Sequence, residues 1–219
     1  MDRTGAACYI YAKTSGMLAK SFTGQRAKIL FETKTLPELW SLLFKEEIPA
    51  VPQTILAQLI EKKATQKFIA EYKKLLELYS KPDVVLKNLI HWFDFENLKN
   101  AAAYLATGRS EKPHFSDITP FNILDYSQWP DVQKMTEKDE LAWYNKVPAV
   151  DEQQMLSHDL DMQFVRNLLK GADKLSIGQR NAVRKLILWR YSMKNVIWVM
   201  RLKVYYNMKE DEIRKQIVY

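Results

Sequence analysis

A single cysteine, Cys8, stands in 219 residues. It excludes an internal disulfide and points to a reducing compartment, the cytosol. Glycine (6) and proline (8) are scarce, which argues against a turn-rich β fold and for long helices. The three histidines, His91, His114 and His158, are far apart, and none falls in a His-Glu-x-x-His or paired Cys/His spacing. The usual zinc patterns are therefore excluded. No run of about 18 apolar residues exists, so no segment reads as membrane-spanning. The N-terminus shows no basic stretch followed by an apolar one, so no signal peptide is read.

Chemistry-bearing motifs are also missing. Gly16-Met17-Leu18-Ala19-Lys20-Ser21 has Ala19 and Thr14 where a phosphate loop needs glycines. No Gly-x-Ser-x-Gly elbow occurs, and nothing near Cys8 would activate its thiol. His158-Asp159-Leu160-Asp161 reads as solvated carboxylates on an early helical turn, where the helix dipole favours acids. The sequence thus offers no catalytic, cofactor-binding or metal-ligating residue, and the chain reads as a non-enzyme without a cofactor.

What is present is a helical pattern. Hydrophobic residues make up 47% and charged residues 27%, with 33 Lys+Arg against 26 Asp+Glu, a formal +7. This is a globular composition, with a mild basic excess that suits acidic partners, an anionic surface or nucleic acid. Helices are expected at about 6–21 and 25–31. Thr35-Leu36-Pro37-Glu38 opens another with a capping box. From Gln53, Leu56, Ile60, Ala64, Phe68, Tyr72 and Leu76 recur every four residues as one stripe. Lys81-Pro82-Asp83 ends that helix and starts the next. Asp94 is expected to cap a further helix through Asn97, Leu98, Ala101 and Leu105. Between Thr107 and Val150 the periodicity dissolves around Pro113, Pro120, Pro130 and Pro148. Its aromatics make this an ordered connection packed on the helices, with one short helix expected at 136–144. Helices resume at 152–171, 177–189 and 193–206, and Asn207 with Glu210 is expected to cap a last one. The apolar ending Ile217-Val218-Tyr219 suggests a chain cut from something longer.

Two segments echo each other, Leu89-Ile90-His91-Trp92-Phe93-Asp94-Phe95-Glu96-Asn97-Leu98 and Ile187-Leu188-Trp189-Arg190-Tyr191-Ser192-Met193-Lys194-Asn195-Val196. Each reads as helix, break, cap and a second helix beginning near the Asn, with Ser192 as the second cap. This pattern resembles the C-type rotor-adapter subunits (d-type in eukaryotes) of V- and A-type rotary ATPases, in their bacterial form. The resemblance extends to Tyr9-Ile10-Tyr11-Ala12-Lys13, to Leu36-Pro37-Glu38-Leu39-Trp40, and to the Arg201-x-Lys203 stretch with its acidic sequel Glu210-Asp211-Glu212. Departures are Ser192 in place of the acid and Ala103 opposite Arg201. The family usually carries three such units, and two are found here.

The fold class read from these features is all-α, with quasi-repeated helical units: 1–106, an ordered connection 107–150, and 151–219. The resemblance implies a non-catalytic rotor adapter, cytoplasmic and peripheral to the membrane, between the central stalk and the proteolipid ring. It implies neither nucleic acid nor a small-molecule substrate. Two other readings stand beside it, a helical-repeat scaffold for other protein partners and a basic nucleic-acid-binding domain. Trp189, Trp198, Tyr205 and Tyr206 interleave with Arg190, Lys194, Arg201 and Lys203, a pattern that can bind nucleic acid. The favoured reading makes these core aromatics with solvated bases beside them. Few large hydrophobics are then left for partners, so recognition is expected through shallow polar contacts, chiefly in the 107–150 connection.

Overall fold

The computed structural model describes residues 3–109, 111–138 and 140–218. Its helices are α1 (Arg3–Lys20), α2 (Ala27–Glu32), α3 (Leu36–Phe44), α4 (Gln53–Glu77), α5 (Val84–Ile90), α6 (Trp92–Ala106), α7 (Val132–Thr136), α8 (Gln153–Asp173), α9 (Ile177–Tyr206) and α10 (Glu210–Arg214), with 3₁₀ turns at Gly24–Arg26 and Tyr126–Gln128. No strand occurs among the described residues, so the chain is all-α. Two compact units emerge, 1–82 and 83–219. That boundary falls inside the sequence segment 1–106, because α5 buries Val85 in the core it shares with α6 and α8.

In the first unit the capping box forms as read. The Glu38 N–H donates to the Thr35 hydroxyl at 3.3 Å, and the Thr35 N–H donates to the Glu38 carboxylate at 3.3 Å. Trp40 of α3 then packs with Leu56 and Ile60 of α4. The single α4 stripe does not hold. Steps of four advance about 40° each around a helix, so Phe68 has rotated into solvent, while Ile69 and Leu76 are buried on roughly the opposite face from Leu56. Helix α4 therefore buries one face in its first half and another in its second.

The second unit is built on α8. Leu160, Phe164, Val165, Leu168, Leu169 and Ala172 form one buried stripe, joined by Phe95, Leu98 and Ala102 of α6 and by Ile187 and Tyr191 of α9. Each large side chain buried here contributes about 1.5–3 kcal/mol. Phe164 receives Trp92 and Phe95 edge-on, with ring centroids 5.2 and 5.3 Å away. Helices α5 and α8 approach closely at Gly171, where a Cβ would lie 2.9 Å from the Val85 Cα. Beside this contact the Asn88 amide donates to the Asn167 carbonyl at 2.7 Å.

The connection after α6 is ordered and contributes Leu124, Val132, Leu141 and Tyr144 to the same core. Its short helix is α7, not 136–144. Asp131 caps it by accepting from the Lys134 N–H at 3.1 Å, and buried Thr136 ends it by bonding the Tyr144 carbonyl at 3.0 Å. Gln163 of α8 tethers the segment beyond, accepting from the Trp143 indole at 2.6 Å and donating to the Glu140 carbonyl at 2.8 Å.

Two expected breaks are corrected. Ser192 caps nothing: α9 runs unbroken for 30 residues, because 187–206 contains neither proline nor glycine to interrupt it. Asn207 likewise starts no helix. It ends α9 in the left-handed region at φ 46°, a C-terminal role asparagine tolerates. Lys209 is the residue that precedes α10, its N–H bonded to Glu212 at 3.2 Å. Tyr219 lies outside the described residues.

Candidate functional site

The two asparagines of the echo do one job. Asn97 of α6 donates its amide to the Ser116 carbonyl at 2.9 Å and accepts the Ser116 N–H at 2.9 Å. Asn195 of α9 grips Val218 in the same way, at 2.8 and 3.1 Å. Each clamps one residue of the chain that returns after its own helix, 19 residues on in the first case and 23 in the second. A side-chain amide has the donor–acceptor pair of a peptide unit, which is why it can saturate both polar groups of one backbone residue.

Asp94 extends the first clamp. Expected as a helix cap, it lies instead inside α6 and is buried. Its carboxylate accepts the Ile123 N–H at 2.6 Å and the Tyr126 hydroxyl. Burial, and then the Asp94 charge, hold the Tyr126 phenol far above its ordinary range. The backbone turn that separates α5 from α6 is at His91. Burial depresses that imidazole to about 4, although its ring also bonds the Phe121 backbone. The α6 N-terminus thus holds the connection at Ser116, Phe121, Ile123 and Tyr126.

The second clamp borders a groove of about 860 Å³ lined by parts of α8, α9 and the segment from Met208 to Val218. On its wall Trp92 has two ammonium groups over its ring, Lys194 at 4.8 Å and Lys99 at 5.4 Å. Lys99 is neutralised by Asp161 at 2.6 Å and Glu96 at 3.0 Å. Partial burial, with help from Arg190, lowers the pKa of Lys194. His158 and Asp161 line the same groove. No group of acids, histidines or cysteine able to hold a metal occurs among the described residues. Cys8 is exposed.

Tyr191 is the core aromatic of α9, whereas the four expected there, Trp189, Trp198, Tyr205 and Tyr206, are all exposed, Trp198 least. Trp189, Tyr205 and Tyr206 are 64%, 80% and 69% exposed, and Met193, Val196, Ile197 and Met200 are exposed with them. Because α9 is continuous, only Ile187, Tyr191 and Leu202 of it are buried. The expectation that few large hydrophobics remain for partners is overturned by this one helix. The signal was present in the sequence: from Ile177 to Tyr206 there are seven bases and no acid.

No helix among the described residues is long and apolar enough to cross a membrane. An uncharacterized protein of Treponema pallidum (strain Nichols) is 24% identical over 217 residues, which is 99% of this chain and 64% of that relative's length. No solved structure matches. The family model of the ATP synthase (C/AC39) subunit matches residues 10–219, a span that holds both asparagine clamps, and the chain belongs to that family.

Proposed function

We propose that the chain acts as a non-catalytic adapter of a rotary ATPase, joining the central stalk to the membrane proteolipid ring and turning with them. The observation that carries this reading is the family match over residues 10–219. The geometry is consistent with the mechanical task. A part that passes torque must resist bending, and α9, about 45 Å long at 1.5 Å per residue, is braced along one face by Ile187, Tyr191 and Leu202. The returning chain is locked by paired amide bonds, and the connection after α6 is pinned through Asp94. The division into a first helical unit, 1–106, an ordered connection, 107–150, and a second helical unit, 151–219, belongs to this proposal, with the Asn97 and Asn195 clamps as the common feature of the two units. Residence on the cytoplasmic face, peripheral to the membrane, belongs to it too.

Affinity purification of the tagged chain from gently solubilised membranes of its source tests the reading. Stalk and proteolipid subunits are expected in the eluate. Recovery of neither, from membranes whose rotary ATPase purifies intact by another subunit, overturns it. Calorimetry with ATP and Mg²⁺ is expected to show no micromolar binding.

A further inference from the structure

The outward face of α9 has an order that the adapter reading does not use. Ala182, Leu186, Trp189, Met193, Val196 and Met200 follow one another at intervals of four, three, four, three and four. This alternation is the seam of a coiled coil. At about 100° per residue the six fall in a sector about 80° wide. It lies on the side of the helix opposite Ile187, Tyr191 and Leu202, which face the core. All six are exposed. Helix α9 is therefore apolar on two sides, and one of them is left exposed among the described residues.

The flanks state what would cover it. Lys185 and Arg190 occupy the two heptad positions that border the seam. Arg201 and Lys194 stand one row further out, and Lys203 takes the next seam position. Lys185, Arg190, Arg201 and Lys203 are exposed and α9 has no acid to offset them, whereas Lys194 lies over Trp92 with Asp161 and Glu96 near it. A second copy of the chain would set these bases against themselves, which is unfavourable. A lipid surface fits the charge too, but it demands no three–four alternation, which is the spacing that a partner helix reads. We propose that the outward stripe of α9 docks a helix of a partner protein that carries acidic residues on both sides of its own three–four apolar stripe. The apolar seam supplies the contact, and the basic borders select the partner and set its register.

The test uses the full chain and a synthetic peptide of about 28 residues, four heptads, with Leu at the seam positions and Glu at the borders. Its like-charged borders discourage the peptide from pairing with itself. The control peptide has Lys at the borders. The Glu peptide is expected to bind at least about tenfold more tightly than the Lys peptide, and less tightly as salt rises. Met193→Glu should weaken it by about tenfold or more with helicity and melting temperature unchanged. Arg190→Glu, on an exposed border, should shift preference toward the Lys peptide whether or not Met193→Glu folds. Equal affinity for both peptides, or none for either, overturns the proposal. So does binding of phosphatidylcholine vesicles with about a quarter phosphatidylglycerol in the absence of peptide binding, or a concentration-dependent dimer blocked by Met193→Glu. The probe contains no rotary ATPase sequence, so a failure here leaves the adapter reading standing, and a failed purification leaves this seam standing.

Discussion

Asp94 separates two roles that carry different energies. A surface cap removed by alanine costs about 0.5–2 kcal/mol. A buried carboxylate whose loss strands the Ile123 N–H and leaves the Tyr126 O–H without an acceptor, its oxygen still held by Asn97, costs more, since each abandoned buried donor adds about 1–3 kcal/mol. Asp94→Ala is therefore expected to lower the unfolding free energy by about 2–4 kcal/mol in urea titrations, and a loss under about 1 kcal/mol would return Asp94 to the role of a cap. His91 gives a pH signature. Its folded value, about 4, lies below its ordinary 6.5, so the unfolded chain binds the extra proton first. The native state is thus penalised progressively as pH falls from about 6.5 toward 4, and unaffected by this group above that window. His91→Gln should flatten the fall in melting temperature across that window relative to the wild type. Parallel curves for the two proteins would show that the imidazole titrates normally.

At the scale of elements, Gly171 sets how near α5 comes to α8. A methyl group there meets the backbone of Val85, not a flexible side chain that could swing away. Gly171→Ala is accordingly expected to destabilise by about 1–3 kcal/mol in thermal or urea unfolding, despite the better helix propensity of alanine. Gly178, with open space around it, is the control: alanine there should be neutral or stabilising. Elements that depend on neighbouring residues are readable in the sequence. The Thr35–Glu38 box, the α8 helix and the break around Pro82 all rest on signals within a few residues. Elements decided by distant partners are not. Asp94 looks like a cap until Ile123 and Tyr126, 29 and 32 residues away, are seen to converge on it. Ser192 looks like a break because serine favours caps, yet nothing around it opposes a helix. The α9 aromatics look like core because a sequence does not say which of two apolar faces is covered.

For the whole molecule, the two compact units carry separate cores. Every buried residue of the large cluster around α8 lies between Val85 and Tyr191, whereas Trp40, Leu56 and Ile60 form their own in the first unit. A fragment of residues 83–219 is expected to fold alone, with a sigmoidal unfolding transition and near-ultraviolet dichroism from its packed aromatics. Helical far-ultraviolet signal without that near-ultraviolet signal would mean that the second core is not self-sufficient. The asparagine clamps, finally, bear on how such a chain can vary. A side-chain amide that pairs with a peptide unit reads only backbone, so it is blind to what it holds: Ser116 in one place, Val218 in the other. The held position is free to drift through any residue that keeps its N–H, while the holder is confined to an amide, since a carboxylate has lost the donor and alanine both partners. Recurrence in this architecture is thereby stored in single letters spaced about a hundred residues apart, and two segments can remain one device long after their sequences have ceased to look related.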